Sequence, residues 1–249
     1  MDELFSNKGF VKKEFGISQV GTPESAHKAA QRPAYILWAG RFIDWKHPEL
    51  AVETAKYLKK QNIPFHMDII GGGELSDWIK TMITEKDLGD CVALKGFLTP
   101  PEVRNSMERA DILLFTSDRQ EGWGAVANEA MNSCCAVVAD HMIGAVPYLI
   151  RNGENGMIYK DGDKRMLFQH TCRLAQDLSL CRKLGENAYH TIVSEWNAEN
   201  AASKLLELIK KLEDGTLKPH SRRTEKPYPG APEMPVPEKK MYSLLNFSS

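Results

Sequence analysis

The sequence predicts an α/β fold, a doubly wound parallel sheet with trailing helices and a proline-rich C-terminal tail. Two observations predict it. Short apolar runs without polar alternation recur between stretches of helical spacing, the pattern of βαβ units whose sheet is covered on both faces. The glycine-bearing and charged loops all follow the carboxyl ends of those runs, the edge where an open α/β sheet binds its ligand.

Residues 1–32 are polar and unpatterned, with Gly21-Thr22-Pro23-Glu24 marking a loop, and read as a lead-in segment. The domain proper spans 33–213. Tyr35–Ala39 is its first strand, and Pro48–Lys60, apolar at Leu50, Ala51, Ala55 and Leu58, its first helix. Phe65–Ile70 with Leu75–Thr84 repeats the unit, and so does Val92–Leu94 with Pro100–Arg109. That third helix carries start signals: Thr99 as cap, Pro100 at the first position and Glu102 three residues after Thr99. Ile112–Phe115, Ala136–Ala139 and Met157–Tyr159 are the remaining strands, with a fourth helix at Ala125–Ser133. Lys164–Asp177, Ser179–Glu195 and Ala198–Leu212 are helices expected to pack around the sheet. Residues 214–249 hold six of the thirteen prolines and read as an extended tail.

With 249 residues, 42% hydrophobic and 26% charged, the chain has the composition of a globular protein. Its 32 Lys+Arg against 33 Asp+Glu give no reason to expect non-specific binding to nucleic acid or an anionic membrane. Any anion site must be local. The longest apolar runs, Ala34–Ala39 and Cys134–Ala139, fall short of the roughly 18–20 residues of a spanning helix. The N-terminus has no basic region followed by an apolar one, so it does not read as a secretion signal. Five cysteines without a CxxC pair read as reduced, mostly buried thiols of a cytoplasmic protein. The histidines form no HExxH pattern, so no metal ligation is expected.

The ligand edge collects Gly40-Arg41 and Lys46, Gly71-Gly72-Gly73, Gly96-Phe97, Ser117–Gly124 and Asp140–Pro147. The fourth of these loops, Ser117-Asp118-Arg119-Gln120-Glu121-Gly122-Trp123-Gly124-Ala125, runs into a helix bearing Glu129. Its glycines let backbone approach a ligand, and free amides at a helix start favour an anion. Carboxylates such as Glu121 and Glu129 repel phosphate but accept hydrogen bonds from sugar hydroxyls. The arrangement fits a ligand with hydroxyls at both ends and phosphate between, a nucleotide-diphosphate sugar. Arg41 and Lys46 supply positive charge for the diphosphate and, in a water-poor cleft, for a leaving group, with no metal cofactor. A nicotinamide site is disfavoured, because Ala39-Gly40-Arg41-Phe42 stands where GxGxxG would.

From about Tyr35 to Leu212 the chain resembles the C-terminal, donor-binding, Rossmann-like domain of GT-B fold retaining glycosyltransferases, group 1 (family 4). The resemblance is carried by Trp38-Ala39-Gly40-Arg41 with Lys46, Ile69–Leu75, Leu94–Gly96 through Ala110–Ile112, and the Glu-x7-Glu pair Glu121 and Glu129. Ile143–Pro147 and Asn152–Gly156 fit the same family. It implies a hexosyl-type transferase, using a UDP- or GDP-sugar donor and a glycan or lipid-linked acceptor with retention of configuration. Arg41 and Lys46 would hold the diphosphate, and Gly122–Ala125 would present amides. Glu121 would contact the sugar, Glu129 the ribose and Phe97 the base. Gly40, Gly72, Trp123 and Gly124 stand in the same loops and count among the expected contacts. A non-catalytic nucleotide-sugar-binding module is the alternative.

The chain departs from the family at His47 and Cys134-Cys135, where glycine is common, so a reshaped turn is expected after the fourth helix. The diphosphate site is expected to survive. Residues 1–32 are too few for the acceptor domain that precedes this one in the family, so a separate acceptor-domain polypeptide is an expected partner. Family members commonly act at the cytoplasmic membrane face, and Lys218, Arg222, Arg223 and Lys226 with the apolar C-terminal end admit a peripheral membrane contact.

Overall fold

A computed structural model describes residues 32–216. All of the 1–32 lead-in but its last residue, and the 214–249 tail from residue 217 on, lie outside the described residues.

Six strands form one sheet: β1 Ala34–Ala39, β2 Phe65–Ile70, β3 Val92–Gly96, β4 Ile112–Phe115, β5 Ala136–Asp140 and β6 Gly156–Tyr159. All pairings are parallel and the order is β3-β2-β1-β4-β5-β6. The chain therefore reverses its winding between β1 and β4, the switch point at whose carboxyl edge an open α/β sheet has its ligand crevice. Each expected strand forms: β2 and β4 keep the expected bounds, β1 gains Ala34, β3 gains Lys95 and Gly96, β5 gains the buried Asp140 and β6 gains Gly156.

Helices α1 Pro48–Lys60 and α2 Ser76–Glu85 cover one face, and α3 Pro100–Arg109 and α4 Ala125–Asn132 the other. The expected start of α3 is present: the Glu102 carboxylate accepts from the Thr99 backbone N–H at 2.8 Å and from its hydroxyl at 2.7 Å. Side chains alternate across β1, Ile36 and Trp38 entering the first core and Leu37 the second. Burial on both faces makes β1, β4 and most of β5 apolar runs, while the buried Asp68 of β2 is kept by hydrogen bonds with Tyr35 and His66.

Two short elements have no periodic signal in the sequence. A 3-10 turn at Asp44–Lys46 follows β1, and a one-turn helix α5, Val146–Leu149, follows β5. Three trailing helices close the chain: α6 Lys164–Gln176, α7 Leu178–Ser194 and α8 Ala198–Glu213. The first two bury residues such as Leu167 and Leu174, and Leu184 and Ala188. The expectation that all three pack on the sheet fails for α8, which buries nothing and exposes Leu205, Leu206, Leu208, Ile209 and Leu212. By α8 the sheet faces are already occupied by α6 and α7. Two of the five cysteines, Cys135 and Cys181, are buried and three only half-buried, fewer than the sequence suggests; none of the five forms a disulfide.

The turn after α4 is also not reshaped. Cys134 adopts the left-handed conformation itself, at φ 59°. Its N–H reaches the Met131 carbonyl at 3.1 Å and that of Cys135 reaches the Ala130 carbonyl at 2.9 Å, the pair of bonds that closes a helix in a Schellman turn. Gly185 of α7 lies against this turn, so closely that an added Cβ would meet the Cys134 carbonyl oxygen at 2.0 Å. Gly185→Ala must therefore push α7 away from the turn. Chemical denaturation is expected to show it destabilised by about 2–3 kcal/mol, while Gly89→Ala, with open space around it, stays within about 0.5 kcal/mol of the parent.

Candidate functional site

The crevice wall begins with backbone crossing backbone. Leaving β1, Gly40 donates to the Ile70 carbonyl at 3.0 Å and Phe42 to the Gly72 carbonyl at 2.9 Å, lacing the first loop to the second. Gly71 sits at φ 125°, where an added Cβ would stand 1.9 Å from the Gly40 carbonyl oxygen. Only glycine fits that crossing. Gly72 is buried, and its Cα faces the ring of Phe97, itself 79% exposed at the end of β3. The triple glycine thus carries the packing of two loops and supports a solvent-facing aromatic platform.

Opposite, the β4 loop is joined to the β1 loop through Thr116. Its hydroxyl accepts from Trp38 Nε1 at 2.8 Å and donates to the Lys46 carbonyl at 2.8 Å. The Asp118 N–H reaches the Trp45 carbonyl at 3.0 Å. These bonds place the 3-10 turn beside the β4 loop, and Lys46 Nζ forms an ion pair with the Glu121 carboxylate. Ser117 Oγ donates to the same oxygen at 3.1 Å. Both charged side chains are largely shielded, so each is the other's compensation for lost water. Arg41, by contrast, is exposed and has no ionic partner among the described residues.

Beyond Glu121 the loop is pinned by the β5 loop. Gly144 donates to the Glu121 carbonyl at 3.0 Å and approaches so closely that a Cβ there would lie 1.8 Å from the Gly122 carbonyl oxygen. Gly124, in the left-handed region at φ 81°, turns the chain into α4 under the Phe115 ring. The backbone amides of Gly122, Trp123, Gly124 and Ala125 have no acceptor among the described residues. Four unpaired donors at the start of α4, with the helix dipole behind them, favour an anion there.

Glu129, one turn into α4, reaches solvent yet is crowded by protein on its other sides. This crowding holds its carboxyl above the ordinary range, opposed by the charge of Arg104. The structure thus brings Gly40, Arg41, Lys46, Glu121, Gly122, Gly124, Ala125 and Glu129 to one sheet edge, with Gly72 beneath Phe97. Trp123 faces elsewhere in part: its ring stacks on Tyr148 and tilts against Trp196, and Nε1 donates to Asn128 Oδ1 at 2.9 Å.

Several contributors have no signature in the sequence. Thr116 is a single hydroxyl whose role depends on segments distant in the chain. His47 holds φ 50°, so it takes the left-handed turn that a glycine would ordinarily make. Among the described residues no helix is long and apolar enough to cross a membrane, and no cluster of three or more His, Cys, Asp or Glu is arranged to hold a metal.

Residues 23–191 match the family model for glycosyl transferases group 1, more than half of the chain. The amylovoran biosynthesis glycosyltransferase AmsK of Erwinia amylovora is 31% identical over 189 residues, covering 74% of this chain and 46% of that protein. The poly(ribitol-phosphate) alpha-N-acetylglucosaminyltransferase of Staphylococcus aureus is 27% identical over 203 residues, 82% of this chain and 41% of that one. The crystal structure of an S. aureus TarM variant, solved with fondaparinux, alpha-GlcNAc-glycerol and UDP, superposes at a TM-score of 0.65. It is 26% identical and is matched over 71% of this chain and 35% of its own. A C-terminal domain of a group 1 glycosyl transferase, LpcC from Francisella tularensis, shares the fold at TM-score 0.60 and 23% identity, over 71% of this chain and 94% of that domain. The chain spans less than half the length of these two curated relatives. A laced glycine crevice, an anion-ready helix start and a matched family model lead to one assignment: the chain belongs to the group 1 glycosyltransferases.

Proposed function

We propose that this chain is the donor-binding half of a retaining glycosyltransferase that moves a hexosyl-type sugar from a nucleotide diphosphate to a glycan or lipid-linked acceptor. The observation that carries the reading is the set of four unpaired amides at Gly122–Ala125, flanked by Arg41, the Lys46–Glu121 pair and Glu129. Amides and cations suit the diphosphate, and the carboxylates suit hydroxyls on either side of it. In this reading Arg41 and Lys46 take the diphosphate, Glu121 the sugar and Glu129 the ribose. Phe97 offers its exposed face to the base, with Gly40 and Gly72 forming the backbone wall. UDP stands in the crystal structure of the TarM variant, a relative that shares this fold, which supports a nucleoside diphosphate as ligand.

Transfer would proceed by attack of an acceptor hydroxyl on the anomeric carbon, on the face from which the diphosphate departs. The bond from that carbon to the leaving phosphate oxygen breaks, the bond to the acceptor oxygen forms, and the phosphate oxygen takes the acceptor's proton. Charge grows on the leaving diphosphate, and Arg41 and Lys46 stabilise it in place of a metal. The acceptor half would come from another segment or a separate polypeptide, and the work would be done at the cytoplasmic membrane face. The chain's short span relative to its relatives favours one second reading, a nucleotide-sugar-binding module inactive without such a partner. Unaided sugar transfer by this chain would exclude it.

Calorimetry with UDP, GDP and ADP and their sugars tests the first step. Lys46→Ala or Arg41→Ala is expected to weaken binding about tenfold or more, the worth of one charge-assisted phosphate contact; absence of binding by any nucleoside diphosphate would overturn the reading. Glu129 adds a pH test. Its raised carboxyl must be ionised to accept from two ribose hydroxyls, so affinity should fall as pH drops through a value above the ordinary Glu range. Glu129→Gln is expected to bind more weakly at neutral pH and to lose that acid limb.

A further inference from the structure

The side chain of His47, in the β1 loop, reaches toward two elements at once. Its ring Nδ1 lies 2.9 Å from Glu49 Oε1, in the first turn of α1. Its Nε2 lies 3.7 Å from Asp118 Oδ2, in the β4 loop. Its own backbone holds a left-handed turn, and the carbonyl of His47 is 3.0 Å from Thr116 Oγ1. A side chain in that conformation carries a cost that glycine avoids, so contacts made by the ring must offset it.

We propose that His47 is a positioning residue: its imidazole bridges Glu49 and Asp118, fixes the spacing of the β1 and β4 loops that present Lys46, and makes donor binding fall as pH rises. The proposal rests on the donor-binding reading above. Its chemistry follows from the ring. An imidazolium hydrogen-bonds Glu49 through Nδ1 and attracts Asp118 by its charge across 3.7 Å, whereas a neutral imidazole keeps at most the Glu49 hydrogen bond. Protonated, His47 also adds positive charge beside Lys46, where a diphosphate dianion would sit.

The charged surroundings favour the protonated ring. Glu49, chiefly through its hydrogen bond, raises the ring's pKa above 6.5; partial desolvation opposes this, and Asp118 adds to the rise. Lys46 adjoins it in the chain, but its charge is paired with Glu121. Glu49 and Asp140 of β5 both act on Tyr159 of β6, whose hydroxyl is pushed well above its usual range chiefly by burial. Because the folded pKa lies above the unfolded one, the bridge's stabilisation is complete below about pH 6.5 and is lost as pH rises through the higher folded value.

Two substitutions separate backbone from ring. His47→Gly keeps the left-handed turn without an imidazole, and His47→Asn keeps a side chain that tolerates this turn and does not titrate. UDP affinity is measured by calorimetry on all three proteins from about pH 6 to 9, a range that brackets imidazole titration. Thermal melts without nucleotide cover the same range. The nucleotide's own ionisation is common to all three and cancels in the ratios. The expected result is that the affinity of the parent, relative to either variant, falls roughly two- to fivefold across the range, and that its melting advantage over His47→Gly shrinks in step. Ratios that stay flat with pH would overturn the proposal, as would a melting difference that does not change with pH. If no protein binds UDP, GDP or ADP at any pH, the donor reading fails and the binding claim with it, while the melts still report whether the bridge forms.

Discussion

The hydroxyl of Thr116 is the joint on which the crevice depends. It takes the indole N–H of Trp38, a side chain buried in the first core, and gives its own proton to the Lys46 carbonyl. One buried oxygen thus satisfies the core's polar donor and fastens the 3-10 turn to the end of β4. The bond from Trp38 is buried, so losing the Thr116 hydroxyl leaves an unpaired buried indole N–H. The site's cation and its carboxylate then meet because their backbones are already tied together.

Close backbone approach is the second constraint. Gly71 against Gly40, Gly144 against Gly122 and Gly185 against the α4–β5 turn each occupy space that a methyl group would need. The first two bring successive loops of the carboxyl edge together, the third seats a trailing helix. His47 and Cys134 show the reverse case. Each holds a left-handed conformation without being glycine, and each keeps the local hydrogen-bonding of the turn it occupies. At Cys134 the outcome is a conventional helix end, whereas at His47 the side chain acquires two acidic neighbours.

The fold was legible because both sheet faces are buried. Burial on both sides favours strands that are largely apolar, though β2 carries His66 and the buried Asp68, and these stand out against helices of period 3.6. The 3-10 turn and α5 left no trace because neither is long enough to show a period. The exposure of α8 was equally hidden, since its apolar stripe looks the same whether a partner covers it or not. For the site, Arg41, Lys46, Glu121 and Glu129 were visible as charged residues beside glycines at strand ends. The ring contacts of Trp123 with Tyr148 and Trp196 were not, because they join residues far apart in the chain.

By itself the sequence determined the alternation of strand and helix, the edge on which a ligand falls and the kinds of group waiting there. Those follow from periodicity and spacing, which are local properties of the chain. Only the tertiary structure decided that the winding reverses between β1 and β4, that Lys46 meets Glu121 there, and that Gly72 lies beneath Phe97. It also decided that His47 lies between Glu49 and Asp118. Most of these contacts span loops separated by tens of residues, and their partners are chosen by strand order and backbone crossing, which no local pattern encodes.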